Sequence, residues 1–114
     1  MPKHSRAPQA ADYHDLGIAD ETLIYKATEI FAALADSTRV KILCSLASND
    51  MNVGALVELT GISQPAVSHQ LRLLRDRGLV LSRRQGQQVV YSFADEHIRS
   101  LIQLGLEHAA EMGA

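Results

Sequence analysis

Four side chains near the C-terminus, Asp95, His97, His108 and Glu111, carry the clearest chemical signal in this sequence. They form a nitrogen and oxygen donor set without a thiolate. Such a set suits tetrahedral Zn(II), with Co(II) and other borderline divalent ions such as Ni(II), and also Cd(II), as competitors. Their spacing, D-x-H-x10-H-x2-E, divides them into two pairs. If the stretch is helical, His97 and His108 lie about 16 Å apart along the axis, so one helix cannot bring both to one ion. The same separation returns to within roughly 20° of one face, and Glu111 falls within ~40° of it. A second copy running antiparallel across a two-fold axis would set Asp95 and His97 of one chain beside His108 and Glu111 of the other. One isologous interface would then hold two equivalent four-ligand sites. The competing reading is a solvated helix whose acids and histidines face water, and for any one of these residues alone it is the better one. Metal loading is expected to fall on acidification, because both imidazoles must be neutral to ligate.

The element that must position these donors is an amphipathic helix from Asp95 to Glu111. Ile98, Leu101, Ile102, Leu104 and Leu106 recur at short helical intervals, and Asp95 stands where an N-cap belongs. The chain as a whole has 114 residues, enough for one small domain that gains stability by dimerising. Its 46% hydrophobic content permits a core, and its 4% aromatic content means that core is aliphatic. A net charge of −2 argues against a uniformly basic nucleic-acid binder but leaves room for a local basic face. Cys44 is the one cysteine, so no intrachain disulfide or thiolate cluster can form. No apolar run approaches a membrane span and the N-terminus lacks an apolar signal core, so the expectation is a soluble cytoplasmic protein with no membrane partner.

In chain order, residues 1–19 carry Pro2, Pro8 and scattered charge without apolar periodicity, and read as a flexible arm. His4, His14 and Asp12 in that arm could offer an accessory ligand, although isolated tail histidines usually have no specific role. Residues 20–112 read as the folded domain. Asp20 can cap a helix to about Ala35 with Leu23, Ala27, Ile30, Phe31 and Leu34 as its stripe. A second helix, Ser37 to Ala47, should turn Val40, Leu43, Cys44 and Leu46 inward. Cys44 there reads as a small buried hydrophobe.

After a polar break at Ser48, Asn49 and Asp50, VGALVELTG makes a short helix ending at Gly61, which suits a left-handed turn. Ser63 can cap the next helix and Pro65 falls in its first turn, where a missing N–H costs little. Val67, Leu71 and Leu74 should anchor that helix, leaving Ser63, Gln64, Ser68, His69, Gln70 and Arg72 on outer or flanking positions. Short helix, turn and longer helix make a helix-turn-helix. Gln can bond adenine with two contacts, Ser can bond several bases, and the helix N-terminus favours phosphate. The segment LVLSRRQGQQVVYSF then alternates around Gln85-Gly86 as a hairpin, a wing with Arg83 and Arg84 near its tip. From Ser63 to Ser92, Arg72, Arg75, Arg77, Arg83 and Arg84 face only Asp76, a local net of +4 on a chain of net −2. That clustering points to nucleic acid more strongly than any single Ser or Gln.

The segments FAALADSTRVKIL, ISQPAVSHQLRLLRDRGLV and RRQGQQVVYSF, together with the four donors, resemble the ArsR/SmtB family of bacterial winged-helix metal-responsive repressors over roughly residues 20 to 112. The resemblance implies a mainly α fold with a small β-hairpin, a winged helix-turn-helix homodimer. It also implies two recognition helices in successive major grooves of an imperfect palindromic operator, and effector binding that releases the DNA. Asp95, His97, His108 and Glu111 match all four ligands of the C-terminal-helix zinc site of zinc-sensing members. The family's other site uses cysteines at the start of the third helix, where this chain has Asp50, Met51, Asn52, Val53 and Gly54, so that site is expected to be absent. Nickel- or cobalt-preferring relatives add ligands, which keeps His4 and His14 of interest. In related zinc sensors the residue corresponding to His108 also reaches a backbone carbonyl after the recognition helix, here near Gly78. Rival readings are a DNA-binding regulator with no metal response, a purely structural zinc site, and a metallohydrolase. The last is disfavoured because four protein ligands close a tetrahedral shell and no separate base is evident.

Overall fold

Each helix starts where a short polar side chain can accept a free backbone N–H. The computed structural model describes residues 20–113, so the expectations for the 1–19 arm, including His4, Asp12 and His14, lie outside the described residues. The Asp20 carboxylate accepts from Thr22 and Leu23 and opens α1 (Glu21–Leu34). Asp36 opens α2 (Ser37–Leu46), Asn52 opens α3 (Val53–Thr60) and Ser63 opens α4 (Gln64–Asp76). Capping of this kind contributes about 1 kcal/mol per helix. Gly61 ends α3 at φ 75°, a conformation that strains any residue with a Cβ, and so sets the turn between α3 and α4.

Strands β1 (Val80–Gln85) and β2 (Gln88–Phe93) pair antiparallel from Val80↔Phe93 to Gln85↔Gln88, leaving a two-residue loop. Gly86 is at φ 67° and Gln87 is not at positive φ, the pattern of a type II′ turn with glycine first. The far edge of β2 is not free: Met51 and Tyr91 exchange two backbone hydrogen bonds of 3.1 and 2.8 Å. The segment between α2 and α3 therefore acts as a one-residue third strand at the base of the wing. Asp95 caps the last helix, α5 (Glu96–Met112).

The core lies between α2, α3, α4 and the base of the hairpin, where Ile42, Leu43, Leu56, Val67, Leu71 and Leu79 are essentially inaccessible. Each such side chain contributes roughly 1.5–3 kcal/mol by leaving water. In α4 the buried residues are Val67, Leu71 and Leu74, as the periodicity predicts. In α2 the pattern differs from expectation: Ile42, Leu43, Ser45 and Leu46 are buried while Val40 and Cys44 are half-buried. This helix packs on α1, α3, α4, α5 and β2, so it buries a wide arc rather than a stripe. Ser45 is satisfied there by donating to the carbonyl oxygen of Lys41 at 2.9 Å.

Two helices leave apolar surface bare. In α1 only Ala33 is buried, and Phe31, expected in the stripe, is 58% exposed beside exposed Ile24 and Tyr25. In α5 only Ile98 and Ile102 reach the core. Leu101, Leu104 and Leu106 are exposed, as is every residue from Gln103 to Gly113. None of the described helices is long and apolar enough to cross a membrane.

Candidate nucleic-acid interface and metal-ligand pairs

Ser63, Gln64, His69 and Arg72 are all exposed at the start and along the outer face of α4. Ser63 Oγ is already engaged, accepting from the N–H of Ala66 at 3.4 Å. Ser68 is half-buried on the flank. Gln70 differs from the rest: its Oε1 accepts Nε–H of Arg39, from α2, at 2.9 Å. Arginine offers donors only, so the amide atom turned towards it must be the oxygen. With Oε1 held towards α2, the Gln70 amide is engaged within the protomer, unlike Gln64, His69 and Arg72.

The wing arginines also divide. Arg83 Nη1 bonds Asp50 Oδ2 at 2.9 Å, and Asn52 Nδ2 donates to Gln88 Oε1 at 2.8 Å. These two contacts clasp the hairpin to the entrance of α3. Arg84 lies on the other face of β1 and has no ion-pair partner among the described residues. Arg77 at the end of α4 pairs with Glu29 of α1 at 3.6 Å. Of the five clustered arginines, Arg72, Arg75 and Arg84 are without acidic partners among the described residues. Sequence spacing does not reveal Arg39, Asp50, Asn52 or Gln88 as participants, because every one of these contacts joins residues more than thirty positions apart.

Asp95 and His97 sit together at the start of α5. Asp95 Oδ1 accepts from the N–H of Ile98 at 3.1 Å, while Oδ2 lies 3.7 Å from His97 Nδ1. The His97 side chain is 93% exposed. Arg99 fixes this first turn: Nη1–H donates to the carbonyl oxygen of Ala47 at 2.9 Å, the guanidinium lies 4.8 Å from the Phe93 ring centre, and Nε is 3.5 Å from Glu96. His108 and Glu111 lie one turn apart near the far end of α5, both exposed. No three His, Cys, Asp or Glu side chains gather in one protomer among the described residues. Each pair offers one imidazole and one carboxylate, a donor chemistry that suits a borderline divalent ion. The groove between the wing and α3, about 510 Å³, is lined by Asp50, Asn52, Arg83 and Gln88 together with the apolar Met51, Ala55 and Val90. Cys44 lies elsewhere, half-buried in α2, and burial pushes its thiol up.

A capped reading helix behind a glycine turn, followed by a two-stranded hairpin with exposed cations, defines a winged helix-turn-helix DNA-binding protein. The chain belongs to the ArsR family of bacterial regulatory proteins: the family described as "Bacterial regulatory protein, arsR family" matches residues 36–82. It is 42% identical over 83 residues to a transcriptional repressor SmtB homolog of Synechocystis, covering 73% of this chain and 63% of that protein. It is 41% identical over 80 residues to the transcriptional regulator NmtR of Mycobacterium tuberculosis, covering 70% of this chain and 67% of the other. The chain thus spans somewhat less than two thirds of the first relative's length. In three dimensions it is similar to the homodimeric winged helix-turn-helix domain Mb0332 of Mycobacterium bovis, with a TM-score of 0.76 and 32% identity, over 84% of this chain and 91% of that one. These relatives are transcription regulators and not enzymes.

Proposed function

We propose that this protein is a metal-responsive transcriptional repressor that binds operator DNA as a homodimer and is released when a divalent ion, Zn(II) by donor preference, joins the C-terminal helices of the two protomers. The observation that carries the reading is the exposure of α5. Leu104 is 63% exposed and no described residue beyond Ile102 is buried in the isolated protomer, yet the helix continues to Met112. A helix bare over ten residues with apolar side chains calls for a partner, and a second α5 is the one that also completes the half-sites. Asp95 and His97 of one protomer and His108 and Glu111 of the other would hold the ion. When bound, the ion would supply four coordination bonds across the interface. The protein's own residues do the rest: Gln64, His69 and Arg72 face the DNA, Arg75 and Arg84 meet phosphate, and Arg99 holds the half-site's turn against α2.

Release requires that the free dimer bind the ion more tightly than the DNA-bound dimer. A coupling of about 1–3 kcal/mol gives ~5- to 150-fold relief, and DNA must weaken metal binding by the same factor. One route is a hydrogen bond from His108 to a backbone carbonyl near Gly78. A His108 replacement that keeps the metal but lacks the second donor would preserve binding and abolish regulation.

The test is binding of a duplex selected from a random pool, measured with wild type and His97→Ala across zinc, cobalt, nickel and cadmium at fixed salt. Loss of DNA by wild type alone supports the reading. Equal binding with and without every ion overturns the metal response. A second reading, a regulator with no metal response, draws on the structural task Asp95 already has as a cap, and predicts that second outcome.

A further inference from the structure

A single guanidinium ties α4 to both helices that precede the helix-turn-helix. Arg39 donates Nε–H to Gln70 Oε1 at 2.9 Å and Nη1–H to the carbonyl oxygen of Ala33 at 3.2 Å, with Asp36 Oδ2 4.0 Å from Nε. The Ala33 carbonyl belongs to the last turn of α1, where carbonyls have no partner within the helix. Arg39 fills that need and reaches the middle of α4 with the same planar group, a geometry that lysine cannot copy. Its side chain is only 24% exposed.

Position on α4 separates Gln70 from the reading face. At about 100° per residue, Gln70 lies roughly 70° from the centre of the buried stripe of Val67, Leu71 and Leu74, whereas His69 and Arg72 lie roughly 165° and 135° away. Gln70 shares its flank with Leu73 and Arg77, and Arg77 reaches Glu29 of α1. The reading helix is therefore fastened to α1 at its middle and at its end. That same α1 exposes Ile24, Tyr25 and Phe31.

We infer that Arg39 is a positioning residue for DNA recognition, setting the rotation of α4 against α1 and α2, and that Gln70 is its acceptor rather than a base-reading side chain. This rests on the DNA-regulator reading above. Base-edge contacts depend on the rotation of α4, while phosphate contacts through flexible arginines tolerate it. Loss of the Arg39 bridge should then reduce discrimination between sequences and leave non-specific binding intact.

The experiment uses the full chain and a random-sequence duplex pool, from which wild type selects a preferred duplex. Affinities for that duplex and for a scrambled duplex of equal composition are compared at fixed salt for wild type, Arg39→Lys, Gln70→Ala and Gln70→Glu, with thermal unfolding alongside. Arg39→Lys and Gln70→Ala should each lower the preferred-to-scrambled ratio by about tenfold, the scale of one mismatched base pair. Their scrambled-duplex affinity should stay within about twofold of wild type, since the phosphate contacts remain. Gln70→Glu keeps an acceptor for Arg39, so its ratio should stay near wild type even as its added charge lowers both affinities together. The inference is overturned by an unchanged ratio in Gln70→Ala, or by Gln70→Glu losing the ratio as fully as Gln70→Ala, which would make Gln70 a reader. Should Arg39→Lys fail to fold, the two Gln70 variants carry the same decision. A wild type that selects no duplex would instead sink the regulator reading itself.

Discussion

Asp95 divides its carboxylate between two tasks: Oδ1 accepts the N–H of Ile98 at 3.1 Å and caps α5, while Oδ2 stands 3.7 Å from His97 Nδ1. The cap holds the backbone that sets where His97 points, so helix initiation and the proposed metal half-site would share one residue. The two tasks separate by substitution.

Asp95→Asn retains the cap, because Asn and Asp are comparable at that position, and should change unfolding free energy by less than about 0.5 kcal/mol. Removing the carboxylate should weaken zinc binding by about tenfold or more, measured by competition with a chelating dye. Asp95→Ala should lose the same zinc affinity and a further ~1 kcal/mol of stability. Unaltered zinc affinity in Asp95→Asn would remove Asp95 from the ligand set.

Leu104→Glu and Leu106→Glu place charges on the bare half of α5, far from the core of their own protomer. Sedimentation velocity at micromolar concentration should find these variants monomeric and wild type dimeric. Their folding as monomers should change by no more than about 0.5 kcal/mol, as for other exposed sites. A dimer that persists in both variants would move the interface off α5.

Arg83 and Arg84 are neighbours in sequence but, among the described residues, only Arg83 is paired with an acid. Arg84→Ala should reduce the slope of log affinity against log salt by about 0.9, the value for one phosphate contact. Arg83→Ala should change it by less than half as much, and Asp50→Asn should raise DNA affinity by freeing Arg83. Equal slopes for the two arginine variants would show that the Asp50 pairing does not survive on DNA.

Burial raises the Cys44 thiol above its ordinary value of 9.0. The unfolded chain then ionises first as pH rises, so the contribution of this group is complete below about pH 9 and is lost on going through the folded value. Unfolding midpoints from pH 7 to 10 should fall more steeply for wild type than for Cys44→Ala. Alkylation of the native thiol at pH 8 should be slower than that of an unfolded control.

Local signals in the chain were enough for the helix-turn-helix. Ser63, Pro65, the Val67, Leu71 and Leu74 spacing and Gly61 each act through neighbours within a few residues, so periodicity and capping chemistry reveal them directly. The α5 helix was legible for the same reason, since its N-cap at Asp95 and the burial of Ile98 and Ile102 follow from capping chemistry and helix pitch. Contacts between distant segments decided the remainder. Gln70 and Arg83 look free on their own elements, yet Arg39 and Asp50 engage them from 31 and 33 positions away. Met51 joins the wing across 40 positions by backbone bonds that depend on no side-chain pattern. A one-dimensional period reports which face of an element is apolar; which polar groups on that face meet a partner is fixed only when the helices and the hairpin pack together.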